Sequence, residues 1–211
     1  MKLFSRRVHM VGPPADTMAY AIDMCAFVNE KVGREIALWS ALFGAPLGSM
    51  MYTMRVEGVA DLATATEKLL AEPDYHAKIA AGAAFVGGMP AEDSIGTPIR
   101  GELGGESPPV GTYAAVTTAQ IANGKYADAF GWAVEVAQQV ESTTSLPTMV
   151  ISSQYGPFGT VNWIAAGADA TAVDAANEAL MGDESYMKML VAAGELFVPG
   201  SGQQALIRRI A

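Results

Sequence analysis

The chain has 211 residues, of which 51% are hydrophobic and 17% charged, and it carries a net charge of −9. This composition supports a well-buried core and excludes a disordered chain. The acidic balance excludes nucleic acid and anionic membrane surfaces as partners, because both require a basic face. The length suits one large domain or two of roughly 100 residues each.

Cys25 is the single cysteine, so an internal disulfide framework and a cysteine-based zinc site are excluded. It falls within an apolar helical pattern and reads as a small buried hydrophobe. Arg6 and Arg7 precede an apolar run too short for a signal peptide, because Gly12-Pro13-Pro14 interrupts it. No run reaches the roughly 18 apolar residues of a membrane span. A cytoplasmic protein without membrane association is the expectation.

In chain order, Leu3 to Val11 reads as a strand ended by Gly12-Pro13-Pro14. Asp16 or Thr17 then caps a helix running to about Val32. Met18, Ile22 and Cys25 lie on one stripe of it, and Gly33 suits the stop. Ile36 to Phe43 and Met50 to Val56 form a hairpin around Gly44-Ala45-Pro46-Leu47-Gly48. A helix from about Ala60 follows, interrupted at Glu72-Pro73-Asp74 and resumed from Tyr75 to Phe85. Gly87 to Gly111, rich in Gly and Pro, reads as a linker in which only Pro98 to Leu103 supplies a short strand.

The same order then returns. Tyr113 to Ile121 is a strand and Tyr126 to Val140 a helix. Thr148 to Tyr155 and Val161 to Ala166 make a hairpin around Gly156-Pro157-Phe158-Gly159. A helix from about Thr171 to Met181 breaks at Gly182-Asp183-Glu184 and resumes from Tyr186 to Leu196, and Ala205 to Ile210 closes as a strand. Each half is β-α-β-β-α-β. Gly48 and Gly159 differ by 159 − 48 = 111, and that shift pairs seven identical residues over positions 46 to 86, among them Pro46 with Pro157, Glu67 with Glu178 and Tyr75 with Tyr186. The matches fall on the hairpin turn, the helix stripe and the Tyr after the acidic break, so the reading is an α+β unit written twice. The units are 1–105, including the linker from about 87, and 106–211. Coincidence between two amphipathic segments of one continuous domain is the alternative.

The segment Glu67-Lys68-Leu69-Leu70-Ala71-Glu72-Pro73-Asp74-Tyr75 resembles the "LLADPEY" helix break of the dimeric α/β-barrel superfamily, notably its NIPSNAP-like and antibiotic-biosynthesis-monooxygenase-like members. Leu180 to Tyr186 is a looser second copy. The resemblance implies two tandem ferredoxin-like units forming an intramolecular pseudo-dimer, with two four-stranded antiparallel sheets packed together, helices outside and a small-molecule cavity in each unit. Its members include cofactor-free oxygenases, isomerases, haem enzymes and ligand-binding modules, so the fold does not by itself fix the function.

Strand parity sorts the candidate chemistry. Ser5, Arg7 and His9 share one face of the first strand, opposite Phe4, Val8 and Met10. On the third strand, Met51, Thr53 and Arg55 alternate with Met50, Tyr52, Met54 and Val56. Arg7, His9 and Arg55 are thus expected to converge on one polar face inside the inter-sheet space. There the arginines would favour an anionic ligand, an enolate or a carboxylate, and hold His9 neutral as a base. A solvated face with Arg7 or Arg55 paired to Glu35 or Glu57 is the plainer alternative. Trp39, Tyr52, Tyr155 and Trp163 are the aromatic candidates for shaping a pocket for a flat ligand, with core packing as the alternative. Gln154 and Asn162 are possible hydrogen-bond donors in the second unit.

Other chemistry finds no motif. His9 and His76 are the only histidines and no metal-ligand spacing appears. Tandem haem-binding relatives place an axial His in the second copy, and this second copy has none, so no cofactor is expected. Gly87-Gly88 and Gly104-Gly105 lack the strand and helix context of a dinucleotide site. Two functions stay open. One is a small-molecule enzyme of the cofactor-free monooxygenase, cyclase or isomerase kind acting on an aromatic or polyketide-like metabolite. In it His9 and Arg55 are catalytic, and Arg7, Trp39 and Tyr52 bind substrate. The other is a non-catalytic ligand-binding or assembly module. The Ala-, Gly- and Met-rich helices leave apolar surface on which a homo-oligomer is expected. Because Arg55 meets Ala166 under the shift and His9 has no counterpart histidine, a single site in the first unit is expected rather than two.

Overall fold

The computed structural model describes residues 1–104 and 106–211. The first unit comprises β1 (Lys2–His9), α1 (Pro14–Val32), β2 (Ile36–Phe43), β3 (Ser49–Val56), α2 (Val59–Leu70), α3 (Pro73–Gly82), a 3-10 turn (Ala83–Phe85) and β4 (Glu92–Arg100). The second repeats it as β5 (Tyr113–Gln120), α4 (Tyr126–Thr144), β6 (Thr148–Tyr155), β7 (Thr160–Gly167), α5 (Ala170–Gly182), α6 (Glu184–Ala192), a 3-10 turn (Ala193–Glu195) and β8 (Gln203–Arg209).

The strands form one closed antiparallel barrel in the order β1-β3-β2-β8-β5-β7-β6-β4. Each unit contributes a four-stranded sheet, β4-β1-β3-β2 and β8-β5-β7-β6, and the sheets join edge to edge through β2–β8 and β4–β6. Closure pairs the open sheet edges that each unit alone would expose. The two seams occupy equivalent places and both are irregular. Register shifts fall between Ala41 and Phe43 at one, and between Ile95 and Gly96 and Pro98 and Arg100 at the other. Gly96 is required at its seam, because a Cβ there would lie 2.4 Å from Ile151 Cγ2 and 3.1 Å from the Ser152 carbonyl oxygen.

Helices cover the outer face of the barrel. Under α1, the buried Leu38, Met50, Met54 and Val56 pack with Ala21 and Cys25. In the second unit Val150, Val161 and Trp163 pack with Ala129, Ala133 and Ala137 of α4. Burial pushes the Cys25 thiol up to about 11, and it donates to the Ile36 carbonyl at 3.2 Å, in keeping with a packing residue.

Two local expectations shift. The stretch read as a linker contains the nine-residue strand β4, beginning at Glu92. Its acidic start is held by pairs rather than apolar burial: Asp93 accepts from Arg6 at 2.7 Å and Glu92 pairs with Arg7 at 3.4 Å. Helix α1 starts at Pro14, with Pro13 at the N-cap, while the Thr17 hydroxyl turns back to the Pro13 and Pro14 carbonyls. Proline suits a first-turn position because no intrahelical acceptor exists there for an N–H. Gly33 ends α1 in the left-handed conformation as expected, its N–H on the Asn29 carbonyl. No helix among the described residues is long and apolar enough to cross a membrane.

Candidate functional site

The inward-facing residues of the barrel leave a cavity of about 670 Å³. Both units line it, so neither encloses it alone. Apolar wall comes from Leu3, Trp39, Met51, Val116, Ile151, Ile164 and Ile207, and polar wall from Ser5, Thr53, Ser94, Ser153 and Asn162. By contrast, the space between each sheet and its helices is packed by side chains. Instead of the expected cavity in each unit, the described residues of both units share this cavity in the inter-sheet space.

One mouth is built where β1, β3, β4 and β6 meet the connection after β4. Leu103 is buried there and lines the cavity, and Ser107 donates to Glu35 at 2.7 Å. The nearly buried Arg209 holds this end together by donating to Glu35 Oε1 at 2.8 Å, to the Ala211 carbonyl at 3.0 Å and to the Pro108 carbonyl. The Ser107 hydroxyl and then the Arg209 guanidinium hold the Glu35 carboxyl below the usual carboxylate range. Arg100 is likewise committed, donating to Glu141 and to the Thr148 carbonyl.

The residues singled out in the sequence separate. Arg7, Trp39 and Arg55 line the cavity. Trp39 projects into it with its indole N–H donated to Thr53 Oγ1 at 3.1 Å. Arg7 and Arg55 share a face yet do not converge. Arg55 pairs in register with Leu3 on β1, four residues from Arg7, a separation of roughly 13 Å along the strand. Arg7 lies at the far rim against Glu92, and Arg55 lies at the mouth, where its charge acts on Glu35.

His9 does not line the cavity. β1 carries it past the enclosed space, where its ring lies against Gly87 and its buried Nδ1 has no hydrogen-bond partner. Tyr52 faces the other way. Its ring packs in the helix-covered core and its hydroxyl donates to the Ala21 carbonyl at 3.3 Å, burial raising its pKa. The placement of Tyr52 in the pocket is thus corrected by its own parity, since it alternates with the inward-facing Met51 and Thr53.

In the second unit, Trp163 also faces the helices, donating to the Ala133 carbonyl at 3.0 Å. Tyr155 is exposed at a hairpin end, and Gln154 accepts from Lys2 at 2.7 Å. Asn162 does reach the cavity. It accepts from Thr118 at 2.8 Å and donates to Ser153 at 3.2 Å, which fixes its amide orientation. Ser94 was missed because the stretch that carries it reads as linker, and Leu103 because it reads only as the end of a short strand.

The walls do not fit a haem with an imidazole axial ligand: His9 lies outside the cavity and His76 is on the surface, its Nε2 2.8 Å from the Leu70 carbonyl. Among the described residues, no group of three His, Cys, Asp or Glu side chains is placed to hold a metal.

No protein-family model matches the chain, and no curated protein matches it in sequence. Solved structures do match its fold. An anthrone oxidase-like protein superposes with a TM-score of 0.72 at 11% identity, covering 100% of this chain and 92% of the other. A candidate monooxygenase from Fusobacterium nucleatum gives 0.68 at 8% identity over 100% and 92%. A candidate chlorite dismutase gives 0.55 at 10% identity over 100% and 96%. With two ferredoxin-like units closing one barrel, the chain belongs to the dimeric α/β-barrel fold in its single-chain form.

Proposed function

We propose that the barrel cavity binds a flat aromatic or polyketide-like metabolite, and that the chain acts on it as an enzyme of the cofactor-free monooxygenase, cyclase or isomerase kind. The observation that carries this reading is the cavity itself. About 670 Å³ enclosed by Trp39, Met51, Ile151 and Ile164, with a few hydroxyls and one oriented amide, has the size and lining of a small-molecule site. The fold shared with proteins named as monooxygenases and anthrone oxidase-like supports the reaction class.

The middle of the cavity wall offers hydrogen-bond donors and no imidazole, so the chemistry rests on a substrate that is itself a carbon acid. An anthrone is one. Loss of its C10 proton to solvent base gives an anion delocalised onto oxygen, which reduces dioxygen directly. One anthrone and one dioxygen become one anthraquinone and one water. Arg55, at the mouth, takes the role of stabilising the developing oxyanion. Trp39 and Asn162 orient the ring system, and Arg7 belongs to the far rim.

A ligand-binding protein without catalysis is the second reading, favoured by the displacement of His9 from the cavity. Titration with anthrone under argon, followed by Trp39 fluorescence, and oxygen uptake in air separate the two. Quenching that is absent in Trp39→Phe, together with enzyme-dependent oxygen uptake, supports the enzyme. Quenching without uptake leaves a binding protein. Absence of quenching removes the barrel as the site.

A further inference from the structure

We infer that the barrel cavity is two-sided, with a shelf of three hydroxyls on the first unit's wall that selects planar ligands carrying their oxygens along one edge. This deepens the reading that the barrel binds the ligand, and rests on it.

The shelf follows from register. Ser5 on β1 pairs directly with Thr53 on β3 to one side and with Ser94 on β4 to the other. All three side chains line the cavity. They stand level on adjacent strands, about 4.8 Å apart from one strand to the next. Thr53 Oγ1 accepts from Trp39, so its own proton remains to be donated. The hydroxyls of Ser5 and Ser94 make no hydrogen bond among the described residues, and both residues line the cavity.

The equivalent row of the second unit is apolar. The 111-residue shift takes Ser5 to Val116, Thr53 to Ile164 and Ser94 to Ala205, and these three are again register partners, Val116 with Ile164 and with Ala205. β1 and β5 are four strands apart in a barrel of eight, so the two rows face each other across the cavity. One scaffold thus carries hydroxyls on one wall and hydrocarbon on the opposite wall at the same height.

Unsatisfied hydroxyls beside an apolar wall cost binding energy unless the ligand pairs with them. The complementary ligand is a fused-ring ketone or phenol whose oxygens lie on one long edge and whose other edge is bare. A ring system with oxygens at both ends would set one of them against Val116 and Ile164.

The test uses two isomers of identical composition, 1,8-dihydroxyanthrone, with three oxygens along one edge and none on the other, and 2,6-dihydroxyanthrone, titrated under argon at pH 6 against Trp39 fluorescence. The 1,8-isomer should bind about tenfold more tightly, the worth of one or two hydrogen bonds. The double variant Ser5→Val, Ser94→Ala, which copies the second unit's residues, should abolish that preference while retaining affinity for the 2,6-isomer. Ser5→Ala alone serves if the double variant does not fold, and should reduce the preference. Equal binding of both isomers to the unaltered protein, or an undiminished preference in the variants, overturns the shelf while leaving the barrel as binding site. Binding of neither isomer overturns the barrel reading and the shelf with it.

Discussion

Met10 and Ile121, 111 residues apart, make the same contact: each donates its backbone N–H at 2.9 Å to the carbonyl of a hairpin glycine, Gly48 in one unit and Gly159 in the other. The neighbouring bonds repeat as well. Val11 bonds to Phe85 and Ala122 to Leu196, while Gly87 bonds to His9 and Val198 to Gln120. Both glycines have positive φ, +84° and +78°, where a side chain is strained. Their surroundings differ. A Cβ at Gly48 would lie 2.1 Å from the Met10 carbonyl oxygen, whereas at Gly159 it would first meet the Tyr126 hydroxyl at 2.8 Å.

Both glycine-to-alanine changes should therefore destabilise, and unequally. Gly159→Ala should cost about 1–2 kcal/mol, the usual cost of forcing a side chain into the left-handed region. Gly48→Ala should cost more, because backbone rather than the end of a side chain must move. Urea denaturation of the two variants gives the ranking, and a larger loss in Gly159→Ala would contradict it.

The two helix breaks are equivalent in place but not in chemistry. Asp183 caps α6, accepting from the Tyr186 N–H at 2.9 Å, and its other oxygen accepts from Thr143 at 2.6 Å and Gln139 at 2.9 Å. Glu72, its counterpart before α3, makes no side-chain cap. Asp183→Ala should destabilise clearly more than Glu72→Ala, because it removes a cap that Glu72 does not make, measured by thermal or denaturant unfolding. Similar losses in both would mean that the cap is not what holds α6.

Acid should weaken the first unit through Asp61. The Arg34 guanidinium and the Glu57 N–H hold its carboxyl down at about 2 from 3.8. A carboxyl depressed in the folded state stabilises fully above its unfolded pKa, and that contribution fades as pH falls through the folded value. Between about pH 4 and pH 2 the unaltered protein should lose stability more steeply than Asp61→Asn. Parallel curves would show that the pair contributes nothing to the acid limb.

Purified protein should be colourless. Neither histidine lines the cavity, so a bound haem would lack an imidazole ligand from this chain. A stoichiometric visible absorption band surviving purification would contradict this.

Much of this architecture was legible in the sequence because helix stripes and hairpin turns leave strong patterns: the 111-residue shift carries β1 onto β5 and β3 onto β7 residue for residue. The face of each strand was legible too, since Ser5 and Arg7, or Thr53 and Arg55, follow a period of two. What could not be read was distance along a face. Arg7, His9 and Arg55 share a side of the sheet, yet the antiparallel register strings them along the barrel axis. Of β4 only the end from Pro98 was legible, as part of a short strand, because Glu92-Asp93 at its start is held by ion pairs that only the folded sheet brings together. Ser94, and with it the hydroxyl row, stayed hidden inside a stretch that local composition marks as a linker.

Trp39 and Tyr52 offer the clearest separation of binding from stability. Trp39 enters the cavity, while Tyr52 on the neighbouring strand turns into the helix layer, its hydroxyl on the Ala21 carbonyl just as the Trp163 indole meets the Ala133 carbonyl in the other unit. Tyr52→Phe should lower stability by about 1 kcal/mol, one buried hydrogen bond, and leave ligand affinity unchanged. Trp39→Leu should weaken ligand binding severalfold, because an aromatic wall of the cavity is lost, with a smaller effect on ligand chemistry at the opposite wall. Isothermal titration with 1,8-dihydroxyanthrone under argon and urea denaturation on both variants measure the two effects independently. If Tyr52→Phe weakens binding as much as Trp39→Leu, the ligand lies between sheet and helices rather than in the barrel.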